Sequence, residues 1–62
     1  MKREVICISI RETMPDQITV GEHYMIDMSS LYSDNDGDWY ANVEDMKGNS
    51  KGSLKITHFR DL

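Results

Sequence analysis

Cys7 is the only cysteine of this chain, so no internal disulfide can reinforce a domain of 62 residues. A domain of this size buries only about 60% of the surface that its unfolded chain exposes, so an apolar core must hold it together. The apolar neighbours of Cys7 predict a buried thiol without a nucleophilic role. A protein without disulfides fits a reducing cytoplasm, and no signal peptide or membrane-spanning stretch is visible. We therefore expect a cytoplasmic protein with one small core.

Short apolar segments with a two-residue period indicate strands, and no segment carries a convincing helical pattern. The first segment spans residues 4–10 and is apolar on both faces, which predicts a central strand. Its faces are Ile6, Ile8 and Ile10 on one side, and Val5 and Cys7 on the other. Residues 11–17 are polar and contain the only proline, so we interpret them as an irregular connection.

A second strand is predicted after Gly21, which marks a bend or a position that needs positive φ. In this strand Tyr24, Ile26 and Met28 alternate with Met25 and Asp27, as in a strand with one buried face. A helix is the competing interpretation because methionine favours helices. Strand is preferred because the segment between Gly21 and Ser29 is too short for a stable helix.

The stretch SDNDGDWY predicts a hairpin with Asp36 and Gly37 as a two-residue type I′ turn. That turn would set Asn35 opposite Asp38, Asp34 opposite Trp39, and Tyr32 opposite Ala41. In the strand that follows, one face would hold Trp39, Ala41 and Val43 and the other Tyr40, Asn42 and Glu44.

Two further features complete the predicted fold. A looser turn with Gly48 and Gly52 leads to a strand with Leu54 and Ile56 directed inward. Phe59 and Leu62 are three residues apart and could close the core as a single 3₁₀ turn. Four or five short antiparallel strands must curl onto themselves to cover their core. We therefore predict one all-β domain over residues 1–62, a small strongly bent barrel.

The order of these features resembles small SH3-like β-barrel proteins encoded by bacteriophages and prophages. The resemblance rests on the ITVGEHY segment (residues 18–24), on Asp36-Gly37 and on Phe59. It implies an SH3-like barrel and an accessory phage product that binds host machinery. Eukaryotic SH3 domains bind Pro-rich ligands through an ALYDY-like motif, which this sequence lacks, so the resemblance does not extend to that activity.

The net charge of −4 is unevenly distributed along the chain. Residues 13–46 hold eight acidic residues and no Lys or Arg, whereas residues 47–62 are net basic. A one-signed acidic field disfavours contact with phosphate backbones and favours a basic partner surface. Direct nucleic-acid binding is therefore less favoured than protein binding. It would use Lys47, Lys51 and Lys55 beside aromatic side chains.

The acidic stretch does not have the spacing of a calcium loop. Asp34, Asp36 and Asp38 match the first three ligand positions of an EF-hand, but the glycine falls where a hairpin requires it. His23, His58 and Cys7 are too scattered for a zinc site, and His23 is expected to be exposed. No catalytic order of residues and no phosphate-binding glycine loop is present. We expect no metal, no cofactor and no enzymatic activity.

The remaining hypothesis is an acidic, aromatic-containing face on the hairpin of residues 31–45. In an extended strand, Asp34, Asp36 and Asp38 would form a row of negative charge on one side. The residues predicted to bind the partner are Tyr32, Asp34, Asp36, Asp38, Tyr40, Glu44 and Asp45. Leu31 could add a further apolar anchor. The alternative is that these charges only keep the turn solvated.

The sequence thus predicts a non-enzymatic module that binds a bacterial host protein with a basic surface and modulates or inhibits it. DNA replication or transcription machinery is the expected target class. No membrane contact is expected. A free sheet edge could also pair two copies into a homodimer or place the protein in a larger assembly.

Overall fold

The computed structural model describes residues 1–10 and 18–62, which form five antiparallel strands and one 3₁₀ turn. The strands are β1 (Lys2–Cys7), β2 (His23–Ser33), β3 (Trp39–Asp45), β4 (Ser50–Lys55) and β5 (Phe59–Asp61). The 3₁₀ turn η1 (Ile56–His58) joins β4 to β5. All strands belong to one sheet with the order β4-β3-β2-β1-β5. The all-β prediction is confirmed.

Two edges of this sheet stay apart in the described residues, because no ladder joins β4 to β5. The predicted barrel is therefore not closed. The residues between the two edges form η1, whose Ile56 packs partly buried against the core. The η1 turn thus contributes one partly buried apolar side chain to the core between β4 and β5.

The core lies on the inward face of the sheet and draws on every strand. Its buried residues are Val5, Cys7, Ile18, Tyr24, Ile26, Ala41, Val43, Leu54 and Phe59. The rings of Tyr24 and Phe59 meet edge to face with centroids 5.9 Å apart, a favourable arrangement for buried aromatic pairs. The burial predicted for Cys7, Leu54 and Phe59 is confirmed, and so is the half-buried alternation of β2.

The first strand differs from its prediction. It begins at Lys2 and ends at Cys7, so Ile8 and Ile10 lie beyond it and are exposed. On the β5 side the Ile8 N–H still donates to the His58 carbonyl, 2.8 Å away, in register with the ladder. On the β2 side the ladder breaks at Cys7, because its carbonyl accepts from the Gly21 N–H while the Glu22 N–H bonds to Thr19. The strand is still central, since β1 pairs with β2 on one side and β5 on the other. The connection predicted over residues 11–17 lies outside the described residues.

The C-terminal prediction was wrong in its position. The 3₁₀ turn precedes Phe59, which itself begins β5, and Leu62 is 66% exposed. Phe59 in an extended strand points inward, so the core is closed by strand pairing with β1 and needs no turn at this point. Gly21 has a φ of 89°, as predicted for a bend before β2.

The second strand carries an irregularity at Ser29 and Ser30, where the sequence suggested an end. The ladder with β3 shifts register between Asp27 and Tyr32. Asp27 accepts hydrogen bonds from the N–H and the hydroxyl of Ser29, and Ser30 Oγ accepts one from the Asn42 N–H at 2.8 Å. These side chains replace the missing ladder contacts, so β2 continues to Ser33 and bends around the core.

The described residues contain no helix long and apolar enough to cross a membrane.

Candidate protein-binding face

The hairpin between β2 and β3 has a three-residue loop, so the predicted two-residue turn is wrong. The Asp34 N–H donates to the Asp38 carbonyl at 2.9 Å, and the Gly37 N–H donates to the Asp34 carbonyl at 3.2 Å. A type I′ turn needs positive φ at both central residues, but Asp36 does not have it and Gly37 alone does, at 84°. This is the geometry of a type I turn followed by a glycine bulge.

The longer loop moves the register by one residue. Tyr32 lies opposite Tyr40, and Ser33 lies opposite Trp39. The predicted pairs of Tyr32 with Ala41, Asp34 with Trp39, and Asn35 with Asp38 are therefore wrong. Because cross-strand neighbours share a face, the new register brings the two tyrosines together on the outward side of the sheet.

Tyr32 and Tyr40 form a stacked pair on this outward face. Their ring centroids are 5.5 Å apart and the ring planes are inclined by 18°. The Tyr32 hydroxyl lies 3.0 Å from Ser53 Oγ in β4, so a hydrogen bond holds the ring across three strands. Tyr32 is 49% exposed, which leaves much of this ring available to another molecule.

Asp34 builds the loop beside the tyrosines. Its Oδ1 accepts hydrogen bonds from the N–H groups of Asp36 and Asp38, each at 3.0 Å. Desolvation acts to raise the pKa of Asp34, but hydrogen bonds from the Asp38 N–H, the Tyr40 hydroxyl and the Asp36 N–H together hold it below its usual value. The same contact to Asp34 raises the pKa of Tyr40. The Asp34 carboxylate thus holds the turn together and lies close enough to Tyr40 to shift its pKa.

The predicted extended row of Asp34, Asp36 and Asp38 does not exist, because these residues form a turn whose first carboxylate points back to the loop. Asp38 forms an ion pair with Lys55 of β4, with Nζ and Oδ2 3.2 Å apart. Asp36 is exposed and forms no ion pair with another described residue. Of the three carboxylates, that of Asp36 is the most available to a partner.

Glu44 and Asp45, predicted to extend the acidic face, are also engaged within the chain. Glu44 Oε1 lies 2.9 Å from Lys2 Nζ, and Asp45 Oδ2 lies 3.7 Å from Lys51 Nζ. Asp45 also closes the turn between β3 and β4 with bonds from Lys47 and Asn49. Glu44 and Asp45 therefore serve contacts within the chain, and they do not extend the face formed by Tyr32 and Tyr40.

Trp39 shares the inward face with Ala41 and Val43, as the alternation predicted. Ala41 and Val43 are fully buried, but Trp39 is 47% exposed because it lies beyond the end of the core. Trp39 was not among the predicted binding residues. Its position at the start of a strand, directly after the turn, could have indicated that it lies beyond the core and is exposed.

Of the three basic residues required by the nucleic-acid alternative, one lies beside the tyrosines and two are largely covered. Lys55 lies opposite Tyr40 in the ladder between β3 and β4. The side chains of Lys51 and Lys55 are 18% and 22% exposed and both form ion pairs with aspartates. Lys47 is exposed in the second turn. Two of the three lysines therefore have their charge balanced inside the protein.

The histidines lie apart from this face. The His23 ring lies 2.9 Å from Glu4 Oε2 and is exposed, as predicted, while His58 Nδ1 lies 2.9 Å from Ser9 Oγ. Burial raises the pKa of the Cys7 thiol, which opposes formation of the thiolate. Among the described residues, no three His, Cys, Asp or Glu side chains are grouped as metal ligands.

Comparisons of the chain with protein-family models, with curated proteins and with solved structures gave no match.

Proposed function

We propose that this protein is a non-enzymatic binding module that contacts a partner protein through its hairpin face, defined as Tyr32, Tyr40 and the Asp34–Asp38 turn. The observation that carries the proposal is the exposed Tyr32 ring, which stacks on the partly buried Tyr40 and whose hydroxyl lies 3.0 Å from Ser53 Oγ. Tyrosines supply large contact area with few rotatable bonds, and they are enriched where interfaces gain most of their energy.

The charge beside the tyrosines favours a partner with a basic surface. Asp36 is exposed next to them, and its charge is not balanced by an ion pair with a described residue. Charges at the rim of an interface chiefly accelerate association and are screened by salt. The complex should therefore form fastest at low ionic strength. The resemblance of the sequence to small phage proteins supports a bacterial host protein as the partner, which the module would modulate or inhibit.

The contribution of the turn's carboxylates to binding must be tested one residue at a time, because Asp34 and Asp38 already make contacts within the protein. Replacing all three aspartates of the turn would remove the Asp34 carboxylate that shapes the loop, so lost binding would not identify a contact. Asp36→Lys changes the charge alone, because the Asp36 side chain makes no hydrogen bond or ion pair with another described residue. Tyr32→Ala removes the exposed ring.

The test is affinity capture from bacterial lysate, followed by binding kinetics with the purified partner. We expect Tyr32→Ala to weaken binding at least tenfold, as for an interface anchor. Asp36→Lys should slow association several-fold at low salt and have little effect on dissociation. Met46→Ala is the matched control, because Met46 is an exposed apolar residue of the other turn.

Two results would reject the proposal. Equal binding by wild-type protein, Tyr32→Ala and Asp36→Lys would show that the partner contacts another surface. Recovery of nucleic acid alone, with a gel shift abolished by neutralising Lys47, Lys51 and Lys55, would favour the nucleic-acid alternative.

A further inference from the structure

Asn42 lies on the outward face of β3, two residues after Tyr40, and its side chain is exposed. In the ladders it lies opposite Asp27 of β2 and Ser53 of β4. Its backbone N–H donates to Ser30 Oγ at 2.8 Å, whereas its side-chain amide makes no hydrogen bond with another described residue. A primary amide on the surface of the sheet is therefore available as a donor and as an acceptor.

The Tyr32 ring reaches across β3 to a position beside this amide. Tyr32 belongs to β2, yet its hydroxyl lies 3.0 Å from Oγ of Ser53 in β4, the residue opposite Asn42. The ring therefore crosses β3 between Tyr40 and Asn42, which lie about 6.6–6.8 Å apart on the same side of the strand. Tyr40 covers one side of the ring, and Tyr32 is still 49% exposed. One partner side chain can thus contact the ring and the amide together.

The outward face around the ring carries more carboxylates than lysines. The carboxylates are Asp27, Glu44 and the three of the Asp34–Asp38 turn, and the lysines are Lys2 and Lys55. Both lysines are already engaged, Lys2 by Glu44 at 2.9 Å and Lys55 by Asp38 at 3.2 Å. The face therefore attracts a cationic side chain and repels the phosphates of a nucleic acid.

Building on the proposed function of the hairpin face, we infer that the partner's anchor is an arginine. Its guanidinium stacks on the exposed Tyr32 ring and donates a hydrogen bond to the side-chain carbonyl of Asn42. A guanidinium is planar and weakly hydrated, it stacks on aromatic faces, and it carries five donors. A cation above an aromatic face is also attracted by the negative charge density of the ring. Asn42 thus joins Tyr32 as a residue that selects the partner.

Two other groups fit this site less well than arginine. The ammonium of lysine is a compact, strongly hydrated point charge that cannot lie flat on a ring. A nucleobase could stack on Tyr32 and bond to Asn42, since asparagine pairs with adenine. Its phosphates, however, would enter the negative field of the face. Arginine is the side chain that matches the ring, the amide and the surrounding charge together.

The test titrates the whole ¹⁵N-labelled protein with three capped tripeptides, which hold arginine, lysine or citrulline between two glycines. Citrulline keeps the planar shape of arginine but lacks its charge. We expect the arginine peptide to shift the side-chain amide signals of Asn42 and the backbone signal of Tyr32. It should bind about threefold more tightly than either of the other peptides, the size of a cation–π contact at an exposed site.

Two substitutions at Asn42 keep the shape of the side chain and change its chemistry. Asn42→Leu removes the acceptor, whereas Asn42→Asp keeps an acceptor oxygen and adds a charge. The bond to Ser30 uses the backbone N–H and is retained in both variants. We expect the arginine peptide to bind about threefold more weakly to Asn42→Leu and about threefold more tightly to Asn42→Asp. Tyr32→Leu loses the ring and should abolish the preference for arginine over lysine.

Three results would overturn the arginine anchor while leaving the hairpin face as a binding surface. These are equal binding of the three peptides, no saturable shift at Asn42 or Tyr32, and equal affinity of Asn42→Leu and the wild-type protein for the arginine peptide. Tighter binding of a short adenine oligonucleotide at the same two residues would assign the site to a nucleobase. The proposed function fails separately, if Tyr32→Ala leaves partner binding unchanged whatever the peptides show.

Discussion

The two hairpin turns of this protein have the same backbone but different surroundings. In the first, Asp34 binds Asp38 and Gly37 by backbone bonds of 2.9 and 3.2 Å. In the second, Asp45 makes the corresponding bonds to Asn49 and Gly48, at 2.9 and 3.1 Å. Each aspartate also accepts two side-chain bonds, from the N–H groups two and four residues later. Both turns share an aspartate followed three residues later by glycine, a pair that favours this turn.

The two turns differ in the further contacts of their aspartates, beyond the bonds that form the turn. Asp45 accepts a further bond from Asn49 Nδ2 at 3.1 Å and pairs with Lys51, so the second turn is closed on itself. Asp34 in the first turn instead lies beside Tyr40, whose pKa it raises, on the candidate binding face. Two turns with the same backbone therefore differ in their surroundings: the second makes its contacts within itself and with Lys51, whereas the first adjoins the candidate binding face.

The largest expected effect comes from the glycines that the two turns share. Gly37 and Gly48 have φ of 84° and 91°, and a Cβ would meet nothing within 4 Å at either position. Alanine at each position should therefore cost only the backbone strain of the left-handed region, about 1–2 kcal/mol. For a domain of this size, each kcal/mol lowers Tm by roughly 4–8 °C. Calorimetry of the two variants checks this, and a clear inequality between them would show that the turns are not equivalent.

A smaller effect is expected in acid. Hydrogen bonds from the Asn49 backbone and side chain lower the pKa of Asp45, and that of Asp34 is lowered as well, although burial opposes it. Both carboxylates bind protons less tightly in the folded chain, so their contribution to stability is complete above their unfolded pKa of about 3.9 and is lost as pH falls through the folded pKa. The free energy of unfolding should therefore decrease as the pH is lowered from about 4.

Asp45→Asn should flatten this acid dependence more than Asp34→Asn does, because Asp45 has the additional bonds. Urea unfolding between about pH 2 and 6 provides the measurement. An unchanged acid slope in both variants would mean that these two carboxylates do not couple folding to pH.

The smallest effect on stability is expected from exchanging the variable residues between the turns. Asn35→Met with Asp36→Lys gives the first turn the central residues of the second, and Met46→Asn with Lys47→Asp makes the reciprocal change. Neither pair contributes a side-chain bond to the turn, so Tm should change by no more than a few degrees. Partner binding at the hairpin face should weaken in the first variant and remain equally weak when both pairs are exchanged. Restored binding in the double exchange would mean that net charge, and not its position, controls recognition.

The strands were predictable because alternation and turn residues are local signals. Tyr24, Ile26, Ala41 and Val43 were assigned to the correct faces, and the all-β class followed from them. Strand ends were less predictable. Ile8 and Ile10 suit a strand by composition, but the partner strand β2 begins only at His23, and the turn at Gly21 interrupts the pairing with β1 at Cys7.

The arrangement of the candidate site depends on the length of the hairpin loop, which the sequence does not determine. Asp36-Gly37 suits both a two-residue and a three-residue loop, and the choice moves every cross-strand pair by one position. The stacked tyrosines became visible only once the register was known. The ion pairs of Asp38 with Lys55 and Asp45 with Lys51 were likewise not evident, because they depend on how β4 lies beside β3.

The pairing of the first strand with the last has a consequence for how the chain folds. Val5 and Asp61 are neighbours in the ladder, so β1 gains its second strand neighbour only after the whole described sequence has been synthesised. Such distant contacts slow folding, because a large loop must close before any pairing energy is gained. On the ribosome, the hairpins β2–β3 and β3–β4 can form early, whereas the β1 edge waits. We expect the nascent chain to be most vulnerable to misassociation along that edge, until β5 emerges and joins it.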